Sequence, residues 1–97
     1  MSPNLAKVNY TWTQADTNRG FAIVHLNWRS QMNANYVAVW SINDLDAAIL
    51  GDYWQGDMHN ITPSGMDVAV YSYGPGDGNA GDKLVINAVA FEWNQGA

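Results

Sequence analysis

Residues 37–73 read VAVWSINDLDAAILGDYWQGDMHNITPSGMDVAVYSY, and this stretch decides the fold because strand and turn signals alternate along it. Its first part, 37–42, is β-branched and aromatic, which favours a strand, and the Asn and Asp residues of 43–46 favour a turn after it. A second strand is predicted from Tyr53 to Ile61. Thr62-Pro63-Ser64-Gly65 then has Pro and Gly where a type I turn takes them. Residues 66–73 are therefore predicted to return antiparallel to the second strand as a β-hairpin.

Further strands are predicted on both sides of this hairpin. Residues 7–13 alternate between apolar and polar side chains, as a half-buried strand does, whereas 14–19 are polar and turn-like. Residues 21–28 and 83–93 are apolar on both alternate sets, so we expect both of their faces to be covered. Residues 45–50 form at most one turn of helix. Six short strands predict an all-β fold, an antiparallel sandwich or barrel.

Composition limits the classes of function. The 97 residues form a single domain over 1–97; 47% of them are hydrophobic and 13% charged, against about 25% charged in a typical protein. Part of the apolar surface is therefore expected to contact another copy of the chain. A net charge of −5 with four Lys and Arg residues argues against nucleic-acid binding and against attraction to anionic membranes.

The chain also lacks features that would indicate a membrane protein or a secreted disulfide framework. It contains no cysteine, no run of eighteen apolar residues and no apolar segment near Met1 of the kind found in signal peptides. We therefore expect no membrane insertion. The predicted location is that of a soluble protein, cytoplasmic or released by a non-classical route.

The order and spacing of the motifs resemble the H-type lectin domain, the family of the snail agglutinins and of the C-terminal domain of the slime-mould discoidins. The resemblance spans roughly residues 20–93 and is carried by four segments: 37–46, 60–66, 68–73 and the final Val- and Ile-rich strand. It implies a six-stranded antiparallel β-sandwich that forms a homotrimer or a dimer of trimers. It also implies binding of terminal galactose or N-acetylgalactosamine in clefts between subunits.

The resemblance assigns three candidate sugar-binding positions. Tyr73 stands where the snail agglutinins have the Trp that packs on the sugar, Tyr53 where they have a sugar-contacting Arg, and Gly74 where they have a His. Only the aromatic position keeps its chemistry. The architecture is therefore expected to resemble the family more closely than the sugar preference does.

The loop 74–82 is a further candidate because it holds four Gly, three Asn or Asp residues and a Pro, and long loops are often functional. Asp77 and Asn79 are predicted to bind sugar hydroxyls. Together with Asp82 they also offer oxygen ligands of the kind that Ca²⁺ prefers. Their spacing does not match an EF-hand, so a loop without a metal is the favoured interpretation, and no cofactor is expected.

The remaining aromatic residues and histidines favour a structural interpretation. His25 and His59 lie within predicted strands and have no Glu or Cys at metal-ligand spacing, which favours hydrogen-bonded strand histidines over zinc ligands. No nucleophile elbow, P-loop or dinucleotide fingerprint is present, so we do not expect an enzyme. Four tryptophans follow the strand alternation and are predicted to be core or interface residues: Trp12, Trp28, Trp40 and Trp93.

Two functions from different classes remain. A lectin would use an aromatic ring against the C–H face of a sugar, with short polar side chains at its hydroxyls. A structural or oligomerisation module, such as a fibre head or assembly domain, would keep the sandwich without the sugar site. The aromatic Tyr73 and the Asn- and Asp-rich loop favour the lectin, and the substituted positions at Tyr53 and Gly74 favour the module.

Overall fold

The structure is a computed structural model that describes residues 3–33, 35–45, 53–73 and 80–93. Within these ranges the chain forms two three-stranded antiparallel sheets and one short helix, which confirms the all-β prediction. One sheet has the order β1-β6-β3 and the other β2-β5-β4. The elements are β1 (Asn4–Thr11), α1 (Gln14–Arg19), β2 (Phe21–Asn27), β3 (Tyr36–Asp44), β4 (Tyr53–Thr62), β5 (Gly65–Tyr73) and β6 (Lys83–Glu92).

The predicted hairpin is confirmed. Strands β4 and β5 pair antiparallel, and the Thr62 hydroxyl closes the turn by accepting a hydrogen bond of 3.1 Å from the Gly65 backbone N–H. A β-bulge between His59 and Thr62 interrupts the ladder, and Asn60 has φ 51° there. The bulge adds a residue to β4, so every pair beyond it, towards Tyr53, is displaced by one position.

The core lies between the two sheets. At Gly56, on the inner side of β4, a Cβ atom would lie 2.3 Å from Trp40 Nε1, so glycine is what allows Trp40 to pack there. Trp93, by contrast, is 52% exposed and takes no part in this core. Trp12, directly after β1, is fully buried, and the largest fully buried apolar side chains of the two sheets are Leu26, Met66, Val68, Val70, Leu84 and Ile86.

Residues 14–19 form a helix, so the turn-like prediction for them was wrong. Thr13 accepts a hydrogen bond from the Asp16 backbone N–H, and the Asp16 side chain accepts one from the Thr13 N–H, which together make a capping box. Gly20 ends the helix in the left-handed conformation, with φ 85°. Caps at both ends therefore stabilise a helix too short to show an apolar period.

Several predicted strand boundaries were also displaced. β1 begins at Asn4 rather than Lys7, and it ends at Thr11 because Thr13 is the helix cap. β3 continues through Asn43 and Asp44, which pair with β6, so the predicted turn starts only at Leu45. The rest of the predicted helical turn, 46–50, lies outside the described residues.

The expectation that 21–28 and 83–93 are covered on both faces fails within a single chain. In β2 the inward Val24 and Leu26 are buried, but the outward Ile23 is 53% exposed. In β6 the inward Ile86 is buried, whereas the outward Phe91 is 47% exposed. Each sheet therefore has an apolar inner face and an exposed outer face that still carries apolar side chains.

Candidate functional site

The outer face of the β2-β5-β4 sheet combines aromatic and polar side chains, and we call it the aromatic–polar face. Its residues alternate with the buried set of the same strands, so they point away from the core. Antiparallel pairing aligns them in rows across the three strands. The described side chains of this face are Phe21, Ile23 and His25 of β2, Asp67, Ala69 and Tyr71 of β5, and Gln55, Asp57 and His59 of β4.

One row of this face holds an aromatic pair. Phe21 and Tyr71 are cross-strand partners, with ring centroids 6.0 Å apart and ring planes inclined by 42°. The Tyr71 side chain is 37% exposed. On the other side of β5, Gln55 is the partner of Tyr71, and it is also exposed. An aromatic surface with an amide at its edge is suited to a ligand that has both C–H and hydroxyl groups.

The helix α1 brings a cation to the same end of the face. Arg19 is the last residue of α1, and its guanidinium carbon lies 5.6 Å from the centroid of the Phe21 ring. Its Nε donates a hydrogen bond of 3.4 Å to the Phe21 carbonyl. A second guanidinium nitrogen pairs with Asp16. These contacts hold the guanidinium over the Phe21 ring, while the Arg19 side chain remains 51% exposed.

Asp16 holds this arrangement together through its ion pair with Arg19. Its side chain is only 1% exposed and is still ionised. Burial acts to raise its pKa, but the hydrogen bonds from Tyr10 and Thr13 and the charge of Arg19 outweigh burial and hold the pKa below its usual value. Burial and the 2.6 Å hydrogen bond to Asp16 in turn raise the pKa of Tyr10 to about 12. The Asp16 carboxylate therefore ties β1, α1 and Arg19 together.

The far end of the face carries a row of polar groups that bind one another. Asp67 accepts hydrogen bonds from Asn60 Nδ2 at 2.8 Å and from His25 Nδ1 at 2.7 Å, and both lower its pKa. The hydrogen bond to Asp67 is the main cause that raises the pKa of His25, and a 3.0 Å contact with Asn27 Oδ1 adds to it. His59 is the partner of Asp67 on β4. His25 is thus an exposed hydrogen-bonded strand histidine, as predicted.

The structure brings two of the predicted sugar-binding residues together. Tyr53 and Tyr73 are cross-strand partners at the end of the β4–β5 ladder, in the row after Tyr71 and Gln55. Gly74, Asp77 and Asn79, together with most of their loop, lie outside the described residues. Asp82 is described, and its backbone carbonyl accepts a hydrogen bond of 2.8 Å from the Trp12 N–H.

The described part of the chain has neither a cluster of metal-ligating side chains nor a helix that could cross a membrane. Within 3–33, 35–45, 53–73 and 80–93, no three His, Cys, Asp or Glu side chains are grouped so that they could hold a metal ion. The same ranges contain no helix long and apolar enough to cross a membrane.

The outer face of the β1-β6-β3 sheet differs in chemistry. Residues Leu5, Val89 and Val39 form one row across it, and Val37 and Phe91 form the next. We call these five residues the apolar patch; four of them are between 42% and 61% exposed, and Val89 is partly exposed. The other half of this outer face is polar except for Val85 and has two lysines but no acid among its described strand residues: Lys7, Asn9, Thr11, Ser41, Asn43, Lys83, Val85 and Asn87.

Sequence reasoning missed four residues of the aromatic end: Arg19, Phe21, Gln55 and Tyr71. The alternation of Phe21 and Ile23 against Ala22 and Val24 was visible, but both sets are apolar, so the outer set could not be distinguished. Arg19 was missed because the helix that positions it was not predicted.

Comparisons of the chain with models of protein families, with curated proteins and with solved structures find no match.

Proposed function

We propose that the protein is a lectin that binds terminal galactose- or N-acetylgalactosamine-type sugars and acts through several copies of one site. The observation that carries the proposal is the β4–β5 register, which pairs the backbone of Tyr53 with that of Tyr73 in the row beside the Phe21–Tyr71 ring pair. A sugar is bound by an aromatic ring against its C–H face and by polar groups at its hydroxyls. The polar groups for the hydroxyls of this sugar are expected from Asp77 and Asn79, in the loop that follows Tyr73. No chemical transformation of the sugar is part of the proposal.

Multivalency would come from self-association through the apolar patch. The largest contiguous apolar patch on a protein surface is often functional, and association with another protein is one such function. Two copies of the chain can meet at this patch without bringing acidic side chains together. The chain carries a net charge of −5, but no acid lies among the described strand residues of this outer face. Linked weak sites gain avidity without any new contact. We therefore propose a homotrimer, or a dimer of trimers, that presents its sites to glycans.

The first test is a glycan-array screen of the labelled protein with and without Ca²⁺. The proposal expects hits that share one terminal sugar, and a Ca²⁺ requirement would add Asp77, Asn79 and Asp82 as metal ligands. Retention on a galactose resin, with release by free sugar, should be lost in Tyr73→Ala while light scattering shows an unchanged oligomer. Retention of Tyr73→Ala equal to that of the parent protein would contradict the site.

The apolar patch also favours the second candidate, a structural or oligomerisation module. That function requires association but no sugar site. An array without hits, obtained with a well-formed oligomer, would select the module and reject the lectin.

A further inference from the structure

The row next to Tyr53 and Tyr73 has the chemistry of a second sugar-binding position. Its floor is the Tyr71 ring, which lies on the outer side of the sheet beside Phe21, while the Arg19 guanidinium lies over the Phe21 ring. Burying an aromatic ring against apolar C–H groups is favourable, and here the Tyr71 ring is still 37% exposed. The surface available for packing therefore continues along β5 beyond the terminal row.

Polar groups flank this ring pair on both sides. On the β2 side lies the guanidinium of Arg19, which has five N–H donors and uses only some of them on Asp16 and on the Phe21 carbonyl. On the β4 side lies the amide of Gln55, which makes no hydrogen bond to any residue in the described ranges. Donors and an acceptor thus stand on opposite sides of one aromatic floor, as the hydroxyls of a sugar ring require.

The two ends of the face differ in how far their polar groups are already engaged. At the opposite end, His25, Asp67 and Asn60 already bind one another. A ligand there would have to replace hydrogen bonds that exist, whereas beside Tyr71 it would form new ones. The observations therefore favour the aromatic row over the histidine row as a binding position.

The spacing along β5 separates the two positions. Tyr73 and Tyr71 are alternate residues of β5, so their backbone positions are about 7 Å apart along the strand. They are suitably placed for adjoining units of one chain. Resting on the proposed function, we propose that Phe21, Tyr71, Arg19 and Gln55 form a second subsite, which binds the next unit of an oligosaccharide whose terminal sugar occupies the Tyr53–Tyr73 row.

Calorimetric titration tests the subsite with a monosaccharide and the di- and trisaccharides that end in it. For the parent protein, the proposal expects the longer sugars to bind about tenfold more tightly, the gain that one further aromatic contact with its hydrogen bonds can supply. Tyr71→Ala should remove this gain and change the monosaccharide Kd less than twofold. Gln55→Ala should remove part of the gain, and Tyr71→Phe should keep most of it because the ring remains.

Ile61→Ala is the matched control, because Ile61 is also exposed on β4 but lies at the other end of the strand, beside the turn; it should bind both ligands like the parent. Equal affinity of the parent protein for short and long sugars would overturn the second subsite and leave the lectin intact. An equal loss for both ligands in Tyr71→Ala would also overturn it, since Tyr71 would then belong to the terminal site. A parent protein that binds no sugar would overturn the lectin and the subsite together.

Discussion

The outer faces of the two sheets are both exposed, but their side chains suit different partners. The apolar patch on β1-β6-β3 is made of Leu, Val and Phe side chains without polar groups between them, so it can gain stability only by excluding water. The aromatic–polar face on β2-β5-β4 sets rings beside an amide, acids and imidazoles. Such a surface can pack and form hydrogen bonds at once. Exposure alone therefore does not distinguish an assembly surface from a ligand surface, whereas the mixture of side chains does.

The largest effect is expected where a substitution reaches the core that both faces share. Leu26 is 1% exposed and Ile23, on the same strand, is 53% exposed. Leu26→Ala should lower the free energy of unfolding by about 2–5 kcal/mol because it leaves a cavity. Ile23→Ala should change it by about 0.5 kcal/mol. Urea unfolding of both variants measures the difference, and equal losses would contradict the assignment of Ile23 to an outer face.

The next effect concerns the apolar patch. Val39 is 61% exposed and belongs to this patch, so Val39→Asp should leave the monomer folded but place a charge in the proposed interface. We expect light scattering to change from a multiple of three times 10.7 kDa to the mass of a monomer. Avidity for a glycan surface should fall with it, while the affinity of a single site stays unchanged.

Ser41→Asp is the matched control, because Ser41 lies on the same strand and face but in the polar half. It should associate like the parent protein. A parent protein that is monomeric at micromolar concentration would remove the assembly role from the apolar patch.

The smallest effect is a pH dependence that only the aromatic–polar face should show. Because the pKa of His25 is raised in the folded state, its contribution to stability is complete below about pH 6.5 and is lost as the pH rises through the raised value. Because the pKa of Asp67 is lowered, its contribution is present above about pH 3.9 and is lost as the pH falls. The pair therefore stabilises the fold most between these limits.

Urea midpoints at pH 5.5 and pH 8 can isolate this pair. The parent protein should lose stability between the two values, and Asp67→Asn should lose less because His25 then has no carboxylate partner. Asp57→Asn is the control, since Asp57 makes no ion pair or hydrogen bond within the described residues and should follow the parent. An identical pH profile for Asp67→Asn and the parent would show that the pair contributes nothing to stability.

The strands and the hairpin were predictable because β-branched runs and a Pro–Gly turn act locally. The residues that pair across the hairpin, between β4 and β5, were not predictable. Counting back from Thr62 and Gly65 without a bulge would set Tyr53 opposite Gly74, and the bulge at Asn60 moves it opposite Tyr73. A left-handed Asn at one position thus decides which residues meet at the candidate site, and no apolar pattern signals it.

The position of Arg19 was equally hidden from the sequence. It depends on caps at Thr13 and Gly20, in a helix of six residues, and on the ion pair with the buried Asp16. The prediction from the two-faced apolar strands was partly right. β2 and β6 do carry apolar side chains on both faces, but the outer ones are exposed or partly exposed. Their outer sides are uncovered within one chain, which is the observation that led us to the apolar patch.

Backbone amide chemical shifts, recorded by NMR during titration with the sugar found on the array, show whether the aromatic–polar face binds that sugar. We expect shifts that saturate with sugar at Tyr53 and Tyr73, and also at Gln55 and Tyr71 for a longer glycan, with no change at Val39 and Val89. Shifts confined to the apolar patch, or no shifts at any sugar concentration, would contradict this expectation.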